Sequence, residues 1–115
     1  MTTLLEFGRD VQGYNAFAPR TADNKYSATL ANGGESHIST PSNYTNWIVA
    51  FSYQPGTSVW VDLTGATAAV PAGGTLAATT AELNPGQRMV TAGTKVSIIT
   101  DSTTADVGVM FYAVS

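Results

Sequence analysis

From Asn46 onward the chain is written as short apolar runs of alternating character, parted by Pro, Gly and Thr. The runs NWIVAFSYQ, SVWVDL, KVSIIT and DVGVMFYAV are separated by QPG, PAGG, NPG, AGT and DSTTAD. A period of two sends successive side chains to opposite faces of a strand, so each run has a face that must be buried against a second sheet. No amphipathic helix separates the runs, which excludes a parallel α/β fold. The expectation is all-β: a single antiparallel β-sandwich, jelly-roll-like, with about eight short strands and an extended N-terminal arm.

Asn46–Gln54 is the strongest run. Trp47, Val49, Phe51 and Tyr53 point one way and Ile48, Ala50 and Ser52 the other, so this strand should be central and covered on both sides. Gln54-Pro55-Gly56-Thr57 has the Pro and Gly placement of a type II turn. It leads into Ser58–Leu63, with Val59, Val61 and Leu63 on one face and Trp60 and Asp62 on the other. Upstream, Tyr26, Ala28 and Leu30 alternate up to Asn32-Gly33-Gly34, which suits a tight hairpin turn into ESHIST. In the Ala, Gly and Thr-rich stretch 64–80, Pro71, Gly73 and Gly74 break any helix, and weak strands are expected around Ala68–Val70 and Thr75–Ala78. Glu82–Gly86 reads as a turn, and Arg88–Thr91 should pair with Lys95–Thr100 across Ala92-Gly93. The last strand, Asp106–Val114, alternates Val107, Val109, Phe111 and Ala113 with Gly108, Met110 and Tyr112.

Residues 1–24 read as an arm and residues 25–115 as the sandwich domain. The arm lacks alternation yet carries Leu4, Leu5, Phe7, Val11, Tyr14 and Phe17, more apolar bulk than a disordered tail holds. Leu4, Phe7 and Val11 have helical spacing, but Gly8 and Gly13 weaken a helix there. An arm of this kind becomes ordered by lying on a partner, or by folding back over its own sandwich. MTTLLEFGRDVQG has no basic start and no long apolar run, so no signal peptide is expected. No window approaches 18 apolar residues, so no membrane-spanning helix is expected either.

Little in the chain does chemistry. There is no cysteine, one histidine, and only 11% charged residues against roughly 25% in ordinary domains. The hydroxyl-rich surface suits an extracellular or particle-bound protein, and the missing disulfides suit a prokaryotic or viral source. A net charge of −3 with scattered basic residues argues against nucleic acid as a partner. His37 has no neighbours at metal-ligand spacing, and Ser36 faces the opposite way along the strand, so no metal or catalytic triad is expected. Among the carboxylates Glu35, Asp62, Glu82, Asp101 and Asp106, most sit at turns. Asp62 lies within a strand, where it should face solvent beside Trp60 with Lys95 or Arg88 as its partner. Gly73-Gly74 precedes neither Lys nor a helix and is no phosphate loop. Asn43-Tyr44-Thr45 fits the N-glycosylation pattern, which only a secreted chain would use. No catalytic residue, cofactor or enzyme activity is expected.

The aromatics divide by face. Trp47, Phe51 and Phe111 read as core, whereas Trp60 shares a face with Asp62 and is the best candidate for exposed, interface use. The W-x-V-x-F strand, the PAGGT and LNPGQR turns and the apolar last strand together resemble the small β-sandwich decoration, or cement, proteins of tailed bacteriophage capsids. The resemblance covers Asn46 to Val114. It implies a jelly-roll-like virion structural protein on the capsid exterior, made in the host cytoplasm. Its partner would be the major capsid protein, with self-association as a dimer or trimer. The interface would then include Leu4, Leu5, Phe7, Val11, Tyr14, Phe17 and Trp60. The rival expectation is a carbohydrate- or receptor-binding module of a virion fibre or spike, with Trp60, Tyr53 and Tyr44 lining a sugar groove.

Overall fold

The computed structural model describes residues 21–114 in full, with the backbone of two short strands ahead of them. These are β1 (Phe7–Arg9) and β2 (Asn15–Pro19), which pair antiparallel. The remaining arm backbone and the arm's side chains, with the expectations placed on them, lie outside the described residues.

Eight further strands follow: β3 (Asn24–Ala31), β4 (Ser36–Ser39), β5 (Asn46–Tyr53), β6 (Val59–Asp62), β7 (Ala81–Leu83), β8 (Gln87–Thr91), β9 (Lys95–Thr100) and β10 (Thr104–Val114). They form two antiparallel four-stranded sheets, ordered β3-β10-β5-β8 and β4-β9-β6-β7. Among these eight, only β6 and β7 are successive strands in one sheet; every other link crosses between sheets. That is the strand order of a jelly roll.

The alternation explains the core. Trp47, Val49 and Phe51 of β5, Val59 and Val61 of β6, Val96 and Ile98 of β9, and Val107, Val109, Phe111 and Ala113 of β10 all turn into the gap between the sheets. Trp47 and Phe111 are fully buried and meet edge to face, with ring centroids 6.3 Å apart. The Trp47 indole N–H donates to the Tyr44 carbonyl at 3.0 Å, so the largest core side chain leaves no orphaned donor. β5 is central, between β10 and β8, but its outer face is only partly covered: Ala50 is buried, Ile48 half-buried and Ser52 exposed.

The two open sides of the sandwich differ. At the β7/β8 side, Arg88 Nε donates to Glu82 Oε2 at 2.9 Å, and the Tyr53 hydroxyl donates to the Pro85 carbonyl at 2.6 Å. Burial pushes the Tyr53 phenol well above its ordinary pKa, so it remains a donor. At the β3/β4 side the sheets part around a cleft of about 200 Å³, floored by Ala28, Ile38, Val96, Ile98, Val107 and Val109.

Three expectations need correction. The segments 88–91 and 95–100 do not form a hairpin: β8 pairs with β5, and β9 pairs with β4 and β6. Ala92-Gly93 is instead a corner between sheets, tied to the end of β4 by Thr40 N–H to the Thr94 carbonyl at 2.8 Å and Gly93 N–H to the Thr40 carbonyl at 3.1 Å. Asn32-Gly33-Gly34 likewise turns a corner, since β3 and β4 lie in different sheets. No strand forms at 68–70 or 75–78, and β7 instead takes up Glu82 and Leu83, where the sequence predicts a turn. Gly56, at φ 80, fits the expected type II turn, but that turn too leads across the sandwich.

Replacing Phe111 by Ala would remove one partner of the central aromatic pair and leave a cavity. Unfolding by denaturant should show a loss of about 3–5 kcal/mol. A loss below about 1 kcal/mol would contradict the placement of Phe111 at the centre of the core.

Candidate interaction surface

The outer face of the β4-β9-β6-β7 sheet holds the one predicted interface residue that the described structure places. Trp60 on β6 lies in a row with Ile99 on β9 and Leu83 on β7. Trp60 is half-buried and Leu83 is 50% exposed. The Trp60 indole nitrogen is buried and meets no acceptor among the described residues. An unpartnered buried donor costs about 1–3 kcal/mol, so this corner of the sheet is left unfinished.

Asp62, beside it, does not face solvent. It is 1% exposed and lies beneath the segment 64–80. One carboxylate oxygen accepts the Thr64 backbone N–H at 2.8 Å and the Thr64 hydroxyl at 2.6 Å; the other accepts the Thr80 hydroxyl at 2.6 Å. Neither expected cation bonds to it, since Lys95 donates to the Thr67 hydroxyl at 3.1 Å and Arg88 pairs with Glu82. Burial alone would raise the Asp62 pKa. The Thr64 and Thr80 hydrogen bonds, with the nearby Lys95 charge, outweigh burial and hold the carboxyl below its ordinary value.

Asp62 therefore clasps both ends of one long strap. Midway, the Ala68 N–H donates to the buried Ser97 hydroxyl at 2.8 Å, and that hydroxyl donates to Glu35 at 2.8 Å. Glu35 also meets His37 Nδ1 at 2.9 Å. Burial raises the Glu35 pKa, but the Ser97 and His37 hydrogen bonds lower it further, for a net depression. Ser97 is fully buried, and its hydroxyl is held between the Ala68 N–H and the Glu35 carboxylate, so this chain of contacts anchors the strap. Among the described residues no cluster of three or more His, Cys, Asp or Glu could hold a metal ion.

Between its anchors the strap is bare. From Ala69 to Thr80 every residue but Pro71 is exposed; Val70 is 37% exposed and Leu76 fully so. Irregular segments longer than about 12–15 residues are uncommon in compact domains and usually carry function. Leu76 was not singled out from sequence, although the PAGGT break beside it carried the signal. The three residues of the expected sugar groove are dispersed. Tyr44 packs on Trp47 at one end of β5, Tyr53 stacks on Phe51 at the other, and Trp60 belongs to the second sheet. The arm residues Leu4, Leu5, Phe7, Val11, Tyr14 and Phe17 lie outside the described side chains.

The Asp62 clasp has a pH signature. Its depressed folded pKa contributes stability that is present above the unfolded value, about 3.9, and is lost as pH falls through the folded value. Asp62→Asn should cost about 1–3 kcal/mol at neutral pH and flatten the loss of stability below about pH 4. An unchanged acid limb in urea unfolding would contradict the clasp.

No protein-family model, curated protein or solved structure matches this chain.

Proposed function

We propose that this chain is a non-enzymatic structural protein of a tailed-phage virion that binds the outer surface of the capsid and stabilises it. Its partner is the major capsid protein, and its site of action is the particle exterior after synthesis in the host cytoplasm. The observation that carries the reading is Leu76, a large apolar side chain left fully exposed on a strap that a buried carboxylate fixes at both ends. Such a side chain gains about 1.5–3 kcal/mol when covered, and a pre-shaped strap loses little conformational entropy on docking. Val70 and Leu83 are further exposed apolar side chains, Trp60 lies beside Leu83, and the N-terminal segment adds Leu4, Leu5 and Phe7 as further anchors. The jelly roll is consistent with this role, since it recurs in viral capsid domains, but it also serves lectins and decides nothing alone.

The test is sedimentation of the purified chain with undecorated capsids. Stoichiometric co-sedimentation is expected. Leu76→Asp should weaken it at least 10-fold, the equivalent of about 1.4 kcal/mol, and removal of residues 1–20 should weaken it further. Absence of co-sedimentation, together with saturable glycan binding lost in Trp60→Ala, would replace this reading with a receptor-binding module.

A further inference from the structure

We infer that β3 is a self-pairing edge through which two copies of this chain form a two-fold dimer. β3 is the outermost strand of its sheet: among the described residues β10 pairs with it on one side and no strand pairs with it on the other. Edge strands are usually protected by Pro, a bulge or short length. β3 has none of these: it runs eight residues, and its register against β10 is unbroken from Asn24↔Phe111 to Ala31↔Thr104. The other three edges differ. β4 and β7 have four and three residues, and β8 has five with Arg88 turned to Glu82.

Directly opposed residues of an antiparallel pair share a face. A two-fold axis at Ser27 therefore sets Tyr26 opposite Ala28 of the second copy and Lys25 opposite its Thr29. The first contact places a large side chain against a small one. Tyr26 is 40% exposed at the mouth of the β3/β4 cleft and rests edge-on against Phe111 at 6.0 Å. In the dimer the two Tyr26 rings roof the two clefts, covering the half-buried Ala28 and Ile38.

The second contact is one of charge. Thr29 donates to Asp106 at 2.7 Å, and the two residues are register partners across β3 and β10. Lys25 is the only charged residue on β3 and is exposed on the same outer face, so in this register it reaches the Thr29–Asp106 pair of the second copy. Symmetry makes that ion pair twice. Lysine on an edge normally repels pairing; here it selects one register. An edge of eight residues at ~3.4 Å each runs roughly 27 Å, long enough for a continuous backbone ladder between the two copies.

Sedimentation velocity of the full chain tests this without reference to capsids. The wild type should sediment at twice its 12.0 kDa chain mass. Lys25→Glu should raise the dissociation constant about 10-fold by setting like charges together. The charge swap Lys25→Glu with Asp106→Lys should bring it back to within about 3-fold of wild type. A monomer at every concentration up to about 1 mM, a dimer indifferent to Lys25→Glu, or a charge swap no better than the single variant would each overturn the inference.

Discussion

Burial of one apolar face from each of two sheets, around Trp47 and Phe111 of the β3-β10-β5-β8 sheet, is the contact on which the molecule depends. Both side chains are fully buried on neighbouring central strands, and the two rings lock β5 to β10. Because every inward position of these strands is apolar, the opposite positions need not be, and the outer faces are free to carry other work. The β4-β9-β6-β7 sheet uses that freedom to hold a buried aspartate, and through it a strap. The strap's shape is thus a consequence of the sandwich beneath it.

The two sides of the sandwich show how a small jelly roll can be finished unequally. At β7/β8 the Arg88–Glu82 pair and the Tyr53 hydroxyl close the gap. Both charged partners are about half exposed, so the ion pair contributes little stability and acts mainly as a cover. At β3/β4 the cleft remains open beneath a long, regular edge. A chain that buries only part of its apolar surface alone gains from covering the remainder with a partner. The exposed strap and the open edge lie on different parts of the surface, so particle docking and self-association can coexist.

How much of this was legible in the sequence follows from the range of each interaction. The strands β5, β6, β9 and β10 and their inward residues could be read because alternation is a local signal. Strand order could not, since a turn such as Ala92-Gly93 serves a hairpin and a sheet-crossing corner equally well. What decided the matter was Thr40, more than fifty residues away, bonding Thr94 and Gly93. Asp62 was placed on the correct face, but its burial depends on Thr80 and on the return path of 64–80. The weak strands expected there fail because Pro71, Gly73 and Gly74 lie between the two candidates and leave each only three or four residues, and the segment's hydrogen bonds go to Asp62 and Ser97 instead of to a ladder.

The central claim is that a strap pinned by Asp62 presents Leu76 to a large partner. Amide hydrogen exchange across 64–80, with and without undecorated capsids, tests it most directly. The account predicts fast exchange at 69–78 in the free chain, slower exchange at Ala68, whose N–H is bonded to Ser97, and strong protection of 69–78 on the particle. Unchanged exchange at 69–78 on particles that demonstrably carry the protein would contradict it.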